Sequence, residues 1–276
     1  MVANAGCASA QDTLDCLRKV DYKTFLDAAN SVPGILSYDS IALSYLPRPD
    51  GTAITVSPDV LVQNGKYAKV PFIIGSQEDE GTIFALFQKN ITTPAQITGY
   101  LKEKLFHSAS TSQTNELVGT YQTITEDGSP FRTLLLNNWY PQFKRLAAIL
   151  GDLTFTLTRR LFLNIHSEVN PGIKTWSYLS SYDYGTPILG TFHGSDLLQV
   201  FYGVLPNYAS SSMRGYYYSF VHYQDPNQGN NLPNWPAWSE SKQLLNVLAY
   251  KVQLIKDDFR ADTYAFIEKN FPSFKI

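Results

Sequence analysis

The apolar run VPFII at residues 70–74 is the feature that most limits how this chain of 276 residues can fold. An uninterrupted apolar strand expects neighbours on both edges and cover on both faces. A second strand is predicted at residues 174–179, and residues 242–255 are compatible with a helix or a late strand, whereas six or more segments have helical periodicity. Because two distant strands cannot form a stable sheet unaided, the sequence predicts a helix-rich α/β protein with only a few strands of a larger central sheet.

Composition and charge exclude several classes of protein. The net charge is -2 and the pI is about 6.1, so the chain lacks the basic field that attracts nucleic acid or an acidic membrane surface. No apolar run reaches the ~20 residues of a transmembrane helix. Because no repeat, low-complexity tract or linker interrupts the chain, residues 1–276 are predicted to form one domain.

Two features near the N-terminal side are typical of secreted proteins. Cys7 and Cys16 could form a local disulfide or remain two buried thiols, and they make a poor metal site because no histidine lies beside them. The tripeptide Asn90-Ile91-Thr92 is an N-glycosylation sequon. Yet the first residues, MVANAGCAS, have neither the charged start nor the apolar core of an export signal, which suggests that a segment is missing upstream.

Three consecutive acids, Glu78, Asp79 and Glu80, follow the first strand and precede Gly81. Consecutive side chains in a turn point in different directions, so these acids do not suit a single metal ion. They could form a solvated turn. Alternatively, one of them could serve chemistry, because α/β sheets place functional groups just beyond the carboxyl ends of their strands.

Of the four histidines, His193 is the best candidate for a functional role. His107 and His222 fall in helical patterns, where core or surface roles are expected, and His166 ends a long helix, where a cation is favourable. His193 instead lies in a glycine-rich loop beyond the second strand, where a ring can stand clear of the backbone, although a structural role is equally compatible with the sequence.

A nucleophile-activating relay has three members: an acid, an imidazole base that the acid orients, and the nucleophile that the base activates. The sequence offers candidates for the acid and the base. The third member is missing from the sequence. The serine elbow of α/β-hydrolases requires Gly-x-Ser-x-Gly, and none of the 17 glycines has a serine two positions later.

Several ordered motifs resemble the type B carboxylesterase/lipase family, and secreted fungal lipases and sterol esterases of the Candida and Geotrichum kind in particular. These motifs are PRPDG (47–51), GKYAKVPFIIGSQEDEGTIF (65–84), SPF (129–131), PQFKR (141–145), GTFHGSDL (190–197) and NWPAW (234–238). The resemblance extends over essentially the whole chain, and it also matches Cys7 and Cys16 to a disulfide loop of those enzymes.

The resemblance implies a role for each candidate residue. In the family's Ser-Glu-His order, Glu80 corresponds to the buried acid and His193 to the base, with Gly81 permitting a tight turn. Glu78 and Asp79 would then be structural or solvent-facing, and Asp196 a structural hydrogen-bonding residue. Phe84 matches a position of the acyl-chain site, although a plain core aromatic fits equally well.

The resemblance also implies that the chain corresponds to the C-terminal half of such an enzyme. The expected function is hydrolysis of lipid or other carboxylic esters by an extracellular parent protein, without cofactor or metal and with contact to a lipid interface. This chain would supply only the acid and the base, and would be inactive without the missing N-terminal half. The alternative is a non-catalytic binding or adhesion module of the same superfamily, although such a module has no need of a matched acid and base.

Overall fold

The computed structural model describes residues 1–183 and 185–274. Within these residues the chain forms one mixed sheet. Its strands, in their order across the sheet, are β1 (Phe72–Gln77), β2 (Thr175–Ser180), β3 (Gln243–Val247) and β4 (Val252–Lys256). Neighbouring strands are parallel from β1 to β3, and β4 returns antiparallel to β3. This arrangement confirms the predicted α/β class and its small number of strands.

Helices fill the connections between the strands. Within the described residues they are α1 (Thr13–Lys19), α2 (Tyr22–Asn30), α3 (Pro58–Gln63), α4 (Pro94–Lys104), α5 (Thr111–Gly119), α6 (Phe143–Gly151), α7 (Leu157–Val169), α8 (Ser195–Val200), α9 (Tyr208–Tyr223), α10 (Trp238–Ser241) and α11 (Ala261–Asn270).

Local sequence explains where several of these helices begin. In α4, the Thr93 hydroxyl accepts from the amide of Gln96 while the Gln96 side chain accepts from the amide of Thr93, which makes a reciprocal capping box. Ser110 and Gln113 repeat the same exchange at the start of α5. These caps satisfy amides that would otherwise lack partners in the first turn.

The segment 242–255 holds both β3 and β4, joined by a tight turn in which the amide of Leu248 donates to the carbonyl of Lys251. The late-strand alternative is therefore correct, and the helix alternative is wrong. The turn sequence LAYK contains no glycine, proline or asparagine, so the usual signal of a hairpin is missing.

Helices cover both faces of the sheet, as the apolar strands require. One face packs on α9, through Ile73, Trp176, Tyr178, Leu245, Met213, Tyr216 and the buried Trp235. The other face packs on α7 and α10, through Phe72, Ile74, Leu179, Leu244, Leu163 and Trp238. Side chains of β1 alternate between the two faces, which is the period of a strand.

The predicted long helix around residues 141–164 is interrupted. α6 runs into a π-helical turn (Asp152–Thr156), and α7 follows directly. A π-helical turn inserts one extra residue into the helical repeat, so the face that follows is rotated relative to the face before it. This rotation determines which side chains reach the site described below.

The predicted disulfide between Cys7 and Cys16 is present, and it closes a small apolar cluster of its own with Ala5 and Ala28. Asn90 is exposed, and its side-chain nitrogen donates to the Tyr38 hydroxyl at 3.1 Å. Glycosylation at this asparagine stays a prediction. No helix of the described residues is both long and apolar enough to cross a bilayer.

Candidate active site

Glu80 and His193 lie in direct contact, although they are far apart in the sequence. Nδ1 of His193 is 2.6 Å from Oε2 of Glu80. The second carboxylate oxygen, Oε1, accepts from the amide of Gln77 at 2.7 Å. Glu80 is 5% exposed, whereas the His193 side chain is 44% exposed. A buried carboxylate with both oxygens occupied therefore holds one nitrogen of a ring that remains open to solvent.

The parallel pairing of β1 and β2 explains this contact. The register ends with Gln77 opposite Ser180, so both strands finish at the same edge of the sheet. Beyond that edge the amide of Asp79 donates to the carbonyl of Thr191, which forms one more parallel bridge between the acid turn (residues 78–81) and the histidine loop (residues 190–194). Backbone hydrogen bonding beyond the end of the sheet thus brings the acid turn and the histidine loop next to each other.

Asp79 is the most buried of the three acids, so of the two predicted alternatives, a structural or a solvent-facing residue, the structural one is correct for Asp79. Its carboxylate is fully buried and accepts three hydrogen bonds: from the Ser129 hydroxyl and the Phe131 amide at 2.8 Å each, and from the Thr191 amide at 2.9 Å. Burial raises the pKa of Asp79 to about 6, while the three donors act in the opposite direction. The solvated-turn interpretation is wrong, because Asp79 joins three loops.

Glu78 is also withdrawn from solvent and forms an ion pair with Arg132. Burial, together with the neighbouring charge of Asp79, raises the pKa of Glu78 to about 7, and the Arg132 guanidinium opposes this shift. Each of the three acids therefore has a distinct partner: Arg132 for Glu78, three loop donors for Asp79, and His193 for Glu80.

Gly81 is required for close packing, which corrects the expectation that it permits a tight turn. It is absent from the glycines with positive φ, so its backbone conformation is open to other residues. A Cβ at this position would instead lie 1.9 Å from the carbonyl oxygen of Ala147 and 2.5 Å from the nitrogen of Gly151 in α6. The acid turn thus rests directly on the backbone of α6.

The histidine loop contains two glycines that no other residue could replace easily, because of their backbone conformation and, at one of them, because of the space available. Gly194 follows His193 with φ of 84°, a left-handed conformation that reverses the chain into α8. At Gly190, with φ of 60°, a Cβ would lie 2.2 Å from Oδ2 of Asp79. Only a glycine lets this loop turn here and approach the buried carboxylate.

The contact with Glu80 determines the chemistry of the imidazole. The hydrogen bond to Glu80 raises the pKa of His193 above its usual value of 6.5, partial burial lowers it, and the charges of Glu80 and Asp196 raise it further. Since an ionised carboxylate can only accept, Nδ1 carries the shared proton and Nε2 is the nitrogen free to act as a base.

Two phenylalanines face the other side of the imidazole ring. The ring centroids of Phe84 and Phe155 lie 5.1 and 4.8 Å from that of His193, and the two phenyl rings stack on each other at 5.8 Å. Phe84 is a predicted site residue and is 2% exposed. Phe155 is not predicted from sequence, because it lies in the π-helical turn, where the helical repeat is broken.

These rings and His193 line a mainly apolar cavity of about 800 Å³. The irregular segment between α2 and α3 supplies much of the remaining wall, including Ile35, Ile41, Leu43, Leu46, Pro47 and Pro49. Within this cavity Phe84 is both a core aromatic and a lining residue, so the two alternatives for this position do not exclude each other.

The other predicted residues lie away from this contact. Asp196 accepts from the Tyr178 hydroxyl at 2.9 Å, in line with a structural role. His107 and His222 are exposed. His166 is fully buried beside the Tyr67 hydroxyl, 2.7 Å from its Nδ1, and burial lowers its pKa. The expectation of a favourably placed cation at His166 is therefore wrong.

The chain matches a known protein family over almost its whole length. Residues 1–267 match the model of the carboxylesterase family. The chain belongs to this family, and the predicted resemblance to secreted fungal lipases is confirmed by its relatives.

Secreted lipase 1 of Botryotinia fuckeliana (strain B05.10) is 63% identical over 278 residues, which cover 100% of this chain and 48% of that protein. A secreted triacylglycerol lipase of Gibberella zeae is 58% identical over 272 residues, which cover 98% of this chain and 46% of the relative. The chain therefore spans about half the length of the curated relatives that it matches.

The fold is also found in a solved structure, that of EstA from Aspergillus niger. The TM-score is 0.79 at 22% sequence identity, and the match covers 100% of this chain and 54% of that chain. At this identity the likeness concerns the fold, and it agrees with the α/β architecture described above.

Proposed function

We propose that this chain supplies the acid and the base of a Ser-Glu-His relay in a secreted hydrolase of lipid esters. The observation that carries the proposal is the 2.6 Å contact between Glu80 and Nδ1 of His193 at the carboxyl edge of the sheet. The similarity to secreted lipases supports both the substrate class and an extracellular parent protein. The disulfide between Cys7 and Cys16 agrees with an oxidising compartment.

In the proposed reaction, Nε2 of His193 takes the proton of a serine hydroxyl as its oxygen attacks the ester carbonyl. The same nitrogen then returns that proton to the departing alcohol. Glu80 keeps the proton of the imidazole on Nδ1 and stabilises the imidazolium that forms between the two steps. The His193 side chain is 44% exposed, whereas both oxygens of the buried Glu80 carboxylate are held by hydrogen bonds.

The apolar cavity beside His193 is the proposed site of the acyl chain. Phe84 and Phe155 border the imidazole, so a chain lying against them would bring its carboxyl carbon close to Nε2. The lining also includes Arg48, Ser57, Thr154 and Thr158, but most of it is apolar, which suits a hydrocarbon better than a sugar or a peptide.

The serine of the relay has no candidate motif in this sequence, because no Gly-x-Ser-x-Gly occurs among the 276 residues. We expect the nucleophile and the oxyanion hole to come from polypeptide outside these residues, and the chain alone to be inactive as an esterase. A relay without its serine and oxyanion hole lacks the groups that stabilise the transition state.

NMR titration of the histidines tests the proposed relay without requiring activity. In the wild type the pKa of His193 should lie above 6.5, and in Glu80→Gln it should fall, because the hydrogen bond to the carboxylate is its largest cause. The signal missing from His193→Ala assigns the resonance, and His222, exposed on α9, is the internal control. A His193 pKa that does not respond to Glu80→Gln would refute the relay.

Hydrolysis of 4-nitrophenyl butyrate tests the proposed source of the serine. We expect no activity above background in the wild-type chain or in His193→Ala. Activity that disappears in His193→Ala would mean that a nucleophile lies within these residues, and the assignment of the serine to outside polypeptide would be wrong. Specific binding of a protein partner by a chain whose His193 is uncoupled from Glu80 would favour the adhesion module instead.

A further inference from the structure

Asp79 contacts the histidine loop twice, although its carboxylate is not a member of the proposed relay. The amide of Asp79 donates to the carbonyl of Thr191 at 3.0 Å, and its carboxylate oxygen Oδ2 accepts from the amide of Thr191 at 2.9 Å. Thr191 lies two residues before His193. The backbone and the side chain of Asp79 therefore hold the same residue of the loop that carries the imidazole.

The two carboxylate oxygens of Asp79 bind different parts of the chain. Oδ1 accepts from the Ser129 hydroxyl and the Phe131 amide at 2.8 Å each, whereas Oδ2 accepts from Thr191 in the histidine loop. Asp79 is 0% exposed, so bulk water does not compete for either oxygen. The carboxylate thus joins the histidine loop to the segment 129–131 through one planar group.

Buried hydrogen bonds also hold the chain just before the imidazole. Thr82, which follows the acid turn, donates from its hydroxyl to the carbonyl of Leu189 at 2.7 Å. The Thr191 hydroxyl accepts from the amide of Asp183 at 3.1 Å. Thr82 and Thr191 are both 0% exposed, whereas the His193 side chain is 44% exposed. The backbone that leads into His193 is therefore fixed by buried contacts that do not involve the ring.

We propose that Asp79 is a positioning residue of the relay, which fixes the distance between the histidine loop and the acid turn and thereby aligns Nδ1 of His193 with Glu80. This inference rests on the proposed function, because it concerns the same pair of side chains. Nδ1 of His193 lies 2.6 Å from Oε2 of Glu80, and a hydrogen bond weakens steeply when its angle or length departs from the optimum. The amide of Gln77 holds the other oxygen of Glu80 at 2.7 Å, so a displaced loop would move the imidazole and leave the carboxylate in place.

Asp79→Asn should remove the side-chain contact with the histidine loop and keep the contact with the segment 129–131. An asparagine side chain offers one oxygen acceptor and one NH₂ donor. Because two donors, from Ser129 and Phe131, converge on Oδ1 and one converges on Oδ2, the amide oxygen should take the place of Oδ1. The NH₂ group would then face the amide of Thr191, and two donors cannot bond each other. The histidine loop should therefore move away from the acid turn.

The tautomer of the neutral His193 ring is a readout that a merely structural role of Asp79 would not change. A ring that loses its contact with Glu80 should carry its proton more often on Nε2 and less often on Nδ1. The lost charge in Asp79→Asn would by itself lower the pKa of His193, but it would not move the proton from one ring nitrogen to the other. Nitrogen NMR shifts of the ring distinguish the two tautomers at about pH 9, where the imidazole is neutral and the carboxyl of Asp79, with a pKa of about 6, is ionised.

Two further variants test the same distance without changing a charge. In Gly190→Ala the new Cβ would lie 2.2 Å from Oδ2 of Asp79, which should push the histidine loop outward. Ser129→Ala is the matched control, because it removes one hydrogen bond of the same carboxylate on the side away from that loop. We expect the fraction of His193 with its proton on Nε2 to rise several-fold in Asp79→Asn and Gly190→Ala, and to keep the wild-type value in Ser129→Ala. Near-UV circular dichroism verifies the fold, and Gly190→Ala alone decides if Asp79→Asn is unfolded.

The positioning role is refuted if folded Asp79→Asn and Gly190→Ala keep the wild-type tautomer, or if Ser129→Ala changes the tautomer as much as they do. The relay itself is tested separately by the response of the His193 pKa to Glu80→Gln. A pKa that responds, together with a tautomer that does not respond to Asp79→Asn, would leave the relay intact and refute the role of Asp79 alone. A pKa that does not respond would refute the relay, and the positioning role with it.

Discussion

The two sides of the His193 ring differ in the kind of contact that lines them: hydrogen bonds on one side and apolar contacts on the other. On the side of Glu80, every carboxylate oxygen of Asp79 and Glu80 has a described hydrogen-bond partner. On the side of Phe84 and Phe155, the wall is apolar, and much of it comes from a segment between α2 and α3 without regular structure. Hydrogen bonds fix an angle and a distance, whereas apolar contacts fix only a shape. The polar side should therefore tolerate substitution poorly, and the apolar side should adapt.

Asp79→Ala should produce the largest loss on the polar side. It leaves the Ser129 hydroxyl and the amides of Phe131 and Thr191 without their acceptor, and each buried unpaired donor costs about 1–3 kcal/mol. We expect the free energy of unfolding to fall by about 3–5 kcal/mol in urea titrations. The matched control is Asp27→Ala, an exposed acid paired with Lys23, which should cost less than about 0.5 kcal/mol. Equal losses in both would contradict the central role of Asp79.

Gly81→Ala should come next, because the new methyl group would meet the backbone of α6 rather than a side chain that can move. We expect a loss of about 2–3 kcal/mol in the free energy of unfolding, as for other overpacked sites. At Gly172 a Cβ meets nothing within 4 Å, so Gly172→Ala should be neutral or slightly stabilising. A neutral Gly81→Ala would show that the acid turn can move away from α6.

The acid turn should also make stability depend on pH. The folded-state pKa values of Glu78 and Asp79 are raised to about 7 and about 6, so the folded chain binds these protons more tightly than the unfolded chain. Stability should therefore fall, by about 1–3 kcal/mol, as pH rises from about 4 to about 7. The raised pKa of His193 acts in the same direction, because its contribution is lost as pH rises through the folded value. Melting temperatures of Glu78→Gln should vary less over this range than those of the wild type.

The smallest effect concerns the contact between Glu80 and His193 itself. A double-mutant cycle with Glu80→Gln and His193→Ala should give a coupling free energy of about 1 kcal/mol or less, since water reaches the 44% exposed ring and screens the charges. The coupling should be larger at about pH 6, where the imidazole is charged, than at about pH 9. A coupling that does not change with pH would mean that the charge of the imidazole is not involved.

The same contrast explains which parts of the site could be predicted from the sequence. Glu80 and His193 each follow a strand whose apolar residues are visible in the sequence, and the family motifs single out Glu80 from its two acidic neighbours. The role of Asp79 was not predictable, because the residues that donate to its carboxylate come from two distant loops. A local pattern contains no information about such partners.

Two other differences have local causes. Phe155 was missed because helical periodicity assumes a constant repeat, and the π-helical turn changes that repeat just where Phe155 faces His193. The sequence does not distinguish a hairpin from a helix at β3 and β4, because the turn lacks glycine, proline and asparagine and because β4 at the edge of the sheet has no clear apolar alternation. The small sheet itself was predictable, since its apolar strands have few other ways to be buried.

The parallel pairing of β1 and β2 has an evolutionary consequence. The spacing between neighbouring strands sets the separation of the acid and the histidine, whatever the length of chain that connects them. Helices α4 and α5 lie within that connection but contribute no residue to the Glu80–His193 contact. Related proteins can therefore differ in the length and the side chains of this connection and still keep the acid and the histidine at the same separation.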